Sequence, residues 1–258
     1  MSNSVFNLTV LGSGTCAATV KRSMSGYHVQ HETSATEFLM DIGAGSLRRL
    51  LEAGHDYRKI SGIFISHFHI DHIADLVPFL WASCYTPDFS RDEPLLICGP
   101  PGLKAWYKNL AVTHGDWLLE LPFQLEMQEK NDEVWEWKGI KVTTKSLKHS
   151  VPVNGYRFEH AGRSLVYSGD TGYCDALIQL AENTDLLLIE CSFPKGDAIL
   201  DFHLTPDIAG EVARKANANK VCLTHMYPEC DLVDIQSQCA EKYDGAIELA
   251  QDLRRLIV

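Results

Sequence analysis

One stretch, Ser66-His67-Phe68-His69-Ile70-Asp71-His72, limits the folds open to this chain more than any other. Just before it, Ile60-Ser61-Gly62-Ile63-Phe64-Ile65 is apolar and β-branched, the pattern of a short buried strand. Just after it, Ile73, Leu76, Val77 and Leu80 recur at helical spacing, which predicts a helix starting near Asp71. The stretch therefore sits on a strand-to-helix turn. Side chains alternate along a strand, so His67 and His69 face the same way as the chain leaves the sheet. The turn into the helix aims Asp71 and His72 at a second point nearby. Two ligand pairs directed at two adjacent points are what a dinuclear metal site requires. Three histidines and an aspartate at the end of a buried strand are costly without a metal or other partners.

With 258 residues the chain can bury a large core, as one big α/β domain or two small ones. No internal repeat, low-complexity tract or linker interrupts it, which favours a single domain over residues 1–258. Apolar runs such as Leu186-Leu187-Leu188-Ile189 are far too short to cross a bilayer. Met1 to Val5 show no basic segment leading into an apolar one. These features predict a cytoplasmic protein without a membrane partner. The eight cysteines form no C-x-x-C pair, and several lie in apolar contexts, which predicts buried free thiols. The formal net charge is −11. Nucleic-acid binding depends on Lys and Arg meeting phosphates, so extended nucleic acid is disfavoured as a partner, whereas a small anionic substrate is not.

Asn7 to Leu11 reads as a first strand running into Gly12-Ser13-Gly14-Thr15. That glycine spacing matches neither the dinucleotide nor the P-loop pattern, and a tight loop beside the site is the better reading. Lys21-Arg22-Ser23 is either an anion contact or a solvated loop. Ser34 to Met40 reads as a strand ending at Asp41, which either orients metal ligands or serves a turn or cap. A helix bearing Leu47, Leu50 and Leu51 follows and stops at Gly54. Further strands are expected at Leu95 to Cys98, in a hairpin around Trp135 and Val142, at Tyr156 to Phe158, at Ser164 to Tyr167, at Asp185 to Ile189 and at Val221 to Leu223. Helices are expected from about Leu103 to Ala111, after Thr205 as N-cap with Pro206 in first position, and around Val233 to Lys242. Residues beyond Gly245 suit two short closing strands, with a helix over Ala246 to Leu253 as the alternative.

A pattern links these elements. His67, His149, Asp170, Glu190 and His225 each follow closely on an apolar strand-like run. Side chains at strand ends of an α/β sandwich converge on one edge, the usual place for a site.

His67-x-His69-x-Asp71-His72, then His149, Gly169-Asp170-Thr171 and Thr224-His225, resemble the metallo-β-lactamase superfamily, above all the branch of ribonuclease Z and related phosphodiesterases. The resemblance runs from Leu11-Gly12-Ser13-Gly14-Thr15 nearly to the end of the chain. It implies a four-layer αββα sandwich of two mixed β-sheets flanked by helices. It implies two divalent metal ions, zinc first, with manganese or iron as alternatives. It also implies ligand roles: His67, His69 and His149 for one ion, Asp71, His72 and His225 for the other, and Asp170 as the bridge. Glu190-Cys191-Ser192 and His203-Leu204-Thr205 match two further segments of the family, making His203 a candidate proton donor oriented by Glu190. Asp71 is a third candidate catalytic residue, near the attacking water. Such ions lower the pKa of a water between them, so hydroxide is available near neutral pH.

The chain departs from ribonuclease Z in one respect. In that family a long arm that grips tRNA is inserted between the third histidine and the Gly-Asp segment. Here only residues 150–169 lie between His149 and Asp170, enough for two strands and a turn. The expected activity is therefore hydrolysis of small phosphodiesters or nucleotides. The alternatives are a ribonuclease Z-type tRNA 3′-processing endonuclease without the arm, a lactone or thioester hydrolase, and a non-catalytic metal-binding protein. Family members are commonly dimers, so a homodimer is the assembly the resemblance implies.

Overall fold

The structure, a computed structural model, describes residues 6–32, 36–196 and 201–258. The reading of Met1 to Val5 lies outside these residues, as do the first two of the strand expected from Ser34. Strands in chain order are β1 (Phe6–Gly12), β2 (Gly26–His31), β3 (Thr36–Ile42), β4 (Ile60–Phe64), β5 (Leu95–Gly99), β6 (Leu125–Glu129), β7 (Val134–Trp137), β8 (Ile140–Ser146), β9 (Asn154–His160), β10 (Arg163–Tyr167), β11 (Leu186–Glu190), β12 (Lys220–Thr224), β13 (Ala246–Leu249) and β14 (Arg255–Ile257). The helices are α1 (Ser46–Glu52), α2 (Ile70–Ile73), α3 (Leu76–Tyr85), α4 (Leu103–His114), α5 (Asp175–Leu180), α6 (Pro206–Lys215) and α7 (Ile235–Ala240).

The strands form two seven-stranded sheets, ordered β14-β1-β2-β3-β4-β5-β6 and β13-β12-β11-β10-β9-β8-β7. Both are mixed. In the first, β14 to β3 pair antiparallel and β3 to β6 parallel. In the second, β7 to β10 pair antiparallel and β10 to β13 parallel. Period-two alternation decides what each face meets. Leu8, Val10, Tyr27, Val29, Phe38, Met40 and Phe64 of the first sheet share a core with Ile140, Val142, Tyr156 and Phe158 of the second. Its centre is aromatic, with the Phe158 ring 4.7 Å from Phe38 and 4.9 Å from Phe64. Each such fully buried side chain contributes roughly 1.5–3 kcal/mol. Leu39, Ile63, Ile65 and Ile97 face the other way, under Leu50 of α1, Leu76, Phe79 and Leu80 of α3, and Leu103 of α4. The outcome is the expected helix–sheet–sheet–helix sandwich. No helix among the described residues is long and apolar enough to cross a membrane.

Some local readings are corrected and others hold. The helix expected from Asp71 is two helices, because Asp75 interrupts it and accepts hydrogen bonds from the Gly45 and Leu47 N–H groups at the start of α1. Thr205 is the residue before α6 and Pro206 opens the helix, but the Thr205 hydroxyl donates to Asp207 and does not cap. The closing segment is strand, β13 on one sheet and β14 on the other. Of Lys21-Arg22, Lys21 lies on a solvated loop, whereas Arg22 is neither an anion contact nor solvated. The Arg22 guanidinium is buried and donates to Ser13 Oγ, the Ala250 carbonyl and Asp231, and Lys21 pairs with Asp231 as well. The Gly12 to Thr15 segment is a tight loop beside the site, its Ser13 carbonyl accepting from the N–H of Met226. All eight cysteines are free thiols.

Candidate metal centre

The carboxyl ends of the parallel strands carry the chemistry, as in other open α/β arrangements. Asp41 is at the end of β3, Ser66 to His72 follow β4, and Ser168 to Thr171 follow β10. Glu190 to Ser192 end β11 and extend beyond it, and Thr224-His225 end β12. His149 follows β8 in the loop before β9. The chain turns sharply where it leaves three of these strands. Asp41, Gly169 and His225 all have positive φ, at 54°, 58° and 55°. For Asp41 and His225 this left-handed backbone carries a cost of order 1–3 kcal/mol. At Gly169 a Cβ would stand 2.7 Å from the Ser66 Cβ, so only glycine lets the two sheets close here.

These turns bring the seven expected ligands together. One nitrogen each of His67, His69 and His149 and an oxygen of Asp170 lie within 4.8 Å of one another, as do atoms of Asp71, His72 and His225. His67 Nε2 is 2.9 Å from His69 Nδ1, which is 3.3 Å from His149 Nε2. Asp170 stands between the two groups. Its Oδ1 is 3.3 Å from both His72 Nε2 and His225 Nε2, and its Oδ2 is 3.8 Å from His67 Nε2. Asp71 Oδ2 is 3.4 Å from His225 Nε2.

In four of the five histidines the opposite ring nitrogen is anchored. His72 Nδ1 hydrogen-bonds with Asp41 Oδ2 at 2.7 Å, His67 Nδ1 with Ser66 Oγ at 3.0 Å, His149 Nδ1 with the Phe202 carbonyl at 3.1 Å, and His225 Nδ1 with Ser192 Oγ at 3.0 Å. Partners of this kind set ring orientation and tautomer at metal sites. Asp41 is the hub. It accepts from the Ser66 N–H, the Ser66 hydroxyl and the Tyr167 hydroxyl in addition to pairing with His72. Of its two expected roles, it performs the orienting one. Ser192 and Tyr167 were not anticipated as supports. Their signal was adjacency, since Ser192 lies two residues after Glu190 and Tyr167 three before Asp170.

The electrostatics suit a cation. Burial, then the charge of neighbouring His72, pushes His67 well below the usual histidine range, and burial also lowers His149. Both rings are thus neutral donors. Burial would raise Asp170, but the positive charges of His225 and His72 outweigh it and hold the carboxyl well below its ordinary range. Burial would lower His72, yet Asp170 and Asp41 overcome it and hold that ring well above its ordinary value. A cage that draws a proton onto a fully buried imidazole favours a divalent cation in its place. The Asp170 Oδ1 atom is buried with no hydrogen-bond donor. Imidazole and carboxylate donors in these numbers fit zinc, manganese or iron.

His203 and Glu190 stand beside this cage. Glu190 Oε1 accepts from the Thr171 N–H and pairs with His203 Nδ1 at 2.9 Å, while Oε2 accepts from Ser192 Oγ and the Leu204 N–H. Burial lowers His203, but the Glu190 hydrogen bond and charge outweigh it and raise the ring above its ordinary pKa. The His203 and His225 rings are parallel within 14°, with centroids 5.8 Å apart. His203 also groups with Asp170 and His225 as a third possible ligand set, to which no local pattern in the sequence points.

A family model described as "Beta-lactamase superfamily domain" matches residues 36–226, which hold all seven clustered residues. A protein named ribonuclease Z from Mycolicibacterium gilvum (strain PYR-GCK) is 31% identical over 282 residues, covering 98% of this chain and 96% of its own length. The crystal structure of the metallo-β-lactamase fold protein YhfI from Bacillus subtilis matches with a TM-score of 0.84 at 23% identity, covering 98% of this chain and 100% of that one. A structure described as a new diphosphatase from the PhnP family matches with a TM-score of 0.75 at 23% identity, covering 97% of each chain. The sandwich, the strand-end turns and the family match agree over the same residues, and the chain belongs to the metallo-β-lactamase superfamily, with ribonuclease Z among its relatives.

Proposed function

We propose that this protein is a dinuclear metal-dependent phosphodiesterase that hydrolyses small phosphodiesters or nucleotides. In this reading His67, His69 and His149 would hold one ion, Asp71, His72 and His225 would hold the other, and Asp170 would be shared between them. Zinc is the first choice, with manganese and iron as alternatives. Two divalent ions held there supply hydroxide near neutral pH and a counter-charge for phosphoryl oxygens.

The chain's own residues supply the rest. Asp71, almost wholly buried, would orient the attacking water. The observation that carries the reading is the Glu190–His203 pair beside the cage. Glu190 holds His203 through Nδ1, so Nε2 is turned away from Glu190. Its raised pKa keeps a proton on the ring to a higher pH than a free histidine. A departing alkoxide needs that proton, and a positioned imidazolium can donate it. This pair favours a phosphodiester over a lactone or thioester, and a catalyst over a passive metal carrier.

Two observations favour a small substrate. The residues between His149 and Asp170 form β9 and β10, paired with each other around Gly162, and no arm projects from them. The match to the Mycolicibacterium ribonuclease Z spans 282 positions, more than this chain has, so that relative carries residues with no counterpart here. Two basic groups that might replace an arm are already engaged: Arg22 is buried against Asp231, and the Arg91 guanidinium donates to the Tyr57 and Ile60 carbonyls. A homodimer would add a second short hairpin and no arm. The named ribonuclease Z relatives favour tRNA as the second reading.

The test compares kcat/KM for a model phosphodiester with that for a 3′-extended tRNA at moderate salt. The diester is expected to be cleaved, and the tRNA poorly, because remote phosphate contacts supply both affinity and transition-state binding. Efficient, site-specific tRNA cleavage would overturn the small-substrate reading.

A further inference from the structure

A second cluster of metal-binding side chains lies on the helix-facing side of the first sheet. Thr9, His28 and Leu39 stand abreast on β1, β2 and β3. Glu37, two residues before Leu39, shares their face. His55, just beyond α1, lies over His28 with ring centroids 3.9 Å apart. His28 is fully buried and Glu37 nearly so, and His28 Nε2 is 2.9 Å from Glu37 Oε2. A ring nitrogen of each histidine and a Glu37 oxygen all fall within 4.8 Å of one another. His28 Nδ1 is buried without a hydrogen-bond partner. Among the described residues, His28 is the one hydrogen-bond partner of the Glu37 carboxylate. A nearly buried carboxylate held by a single imidazole keeps acceptor positions unused.

We propose that His28, Glu37 and His55 form a third metal site, for one borderline divalent transition ion such as Zn²⁺. Two imidazoles and one carboxylate are the donors such ions take, and too few hard oxygens for Ca²⁺ or Mg²⁺. His55 is only partly buried, so the ion enters from its side and keeps a water in the fourth position. Thr9 Oγ1, 3.0 Å from His55 Nε2, steadies the ring. Burial, with the charges of His28 and Arg255, lowers His55 to about 4, so it is a neutral donor at pH 7. Arg255 lies opposite Thr9 on β14, and its guanidinium donates to the Ala53 carbonyl at 2.8 Å. Glu37 and Asp41 are four residues apart on β3, about 13 Å along the strand, so this site is distinct from the dinuclear centre. An ion here ties β2 and β3 to the chain leaving α1.

The test equilibrates the whole protein with excess Zn²⁺, removes free metal and counts zinc by elemental analysis in wild type, Glu37→Gln and His55→Asn. Each variant is expected to hold one ion fewer per chain than wild type, whatever the dinuclear centre holds, while diester hydrolysis matches wild type. Diffraction at the zinc edge is expected to show an anomalous peak among His28, Glu37 and His55. Equal zinc in all three proteins, or a peak seen only at millimolar zinc with no ion retained in solution, overturns the site. If both variants fail to fold, the anomalous map of wild type decides alone. Failure here leaves the dinuclear reading intact, because the readout is a difference of one ion.

Discussion

Asp41 is placed to hold no metal itself, yet it organises the cage. Its carboxylate faces the Ser66 N–H and hydroxyl, the Tyr167 hydroxyl and His72 Nδ1, all at 2.6–2.7 Å. Asparagine tolerates the same left-handed backbone, so Asp41→Asn tests the charge and the acceptors without straining the chain. The amide would set N–H groups against donors, and metal affinity is expected to fall by about 10–100-fold. Competition with a chelator measures it, and an unchanged affinity would remove Asp41 from the supporting shell. His203 calls for a different readout. His203→Ala is expected to leave metal content unchanged and slow turnover by about 10²-fold or more. The loss should shrink with a nitrophenolate leaving group, which needs no proton. Equal losses for good and poor leaving groups would argue against proton donation. Loss of metal along with turnover would make His203 a ligand, as its nearness to Asp170 and His225 allows.

At the level of elements, the site depends on how closely strand ends approach the helix that follows β4. Gly43, just past β3, packs against α2 so tightly that a Cβ there would stand 2.0 Å from the Asp71 carbonyl oxygen and 2.8 Å from that of Ser25. Both are backbone atoms and cannot swing aside. Gly43→Ala is therefore expected to destabilise the protein by about 1–3 kcal/mol, as overpacking does, and to displace Asp71. Denaturant unfolding with elemental analysis would show both effects. Wild-type stability with full metal content would mean that the turn yields more readily than its contacts suggest. Elements were unevenly legible. Strands of nearly continuous apolar residues, such as β5 and β11, stand out in the sequence because both faces are buried. β2 does not, because His28, Gln30 and His31 hide its alternation, although all but Gln30 are buried. β6, with Glu126, Gln128 and Glu129 on a sheet edge, offers no apolar run to find.

Over the whole molecule, the two candidate ion groups join the two sheets. His67, His69, Asp71 and His72 follow a strand of the first sheet, while His149, Asp170 and His225 follow strands of the second. Bound ions would thus tether both halves of the sandwich in the native state alone. Ligand linkage of this kind is worth about 2.7 kcal/mol at a hundredfold excess over Kd. Removing metal with a chelator is expected to lower the thermal midpoint, and returning Zn²⁺ to restore it. A midpoint unmoved by chelation, in protein that had held its ions, would show that the centre contributes nothing to joining the sheets.

The types of the clustered side chains, their order and their places at strand ends were legible in the sequence. Alternation, turn residues and the spacing from His67 to His72 act within a few positions, where local rules are strong. The meeting of the two halves was not. Asp170 contacts His72 and His225 only because β4, β10 and β12 end side by side across two sheets. Arg22 shows the same limit from the other side. Its partners, Ala250 and Asp231, come more than two hundred residues later, so nothing near it in sequence marks it as buried. Such pairings are set by strand register and sheet packing, which join residues that no local pattern connects, and tertiary structure alone decided them.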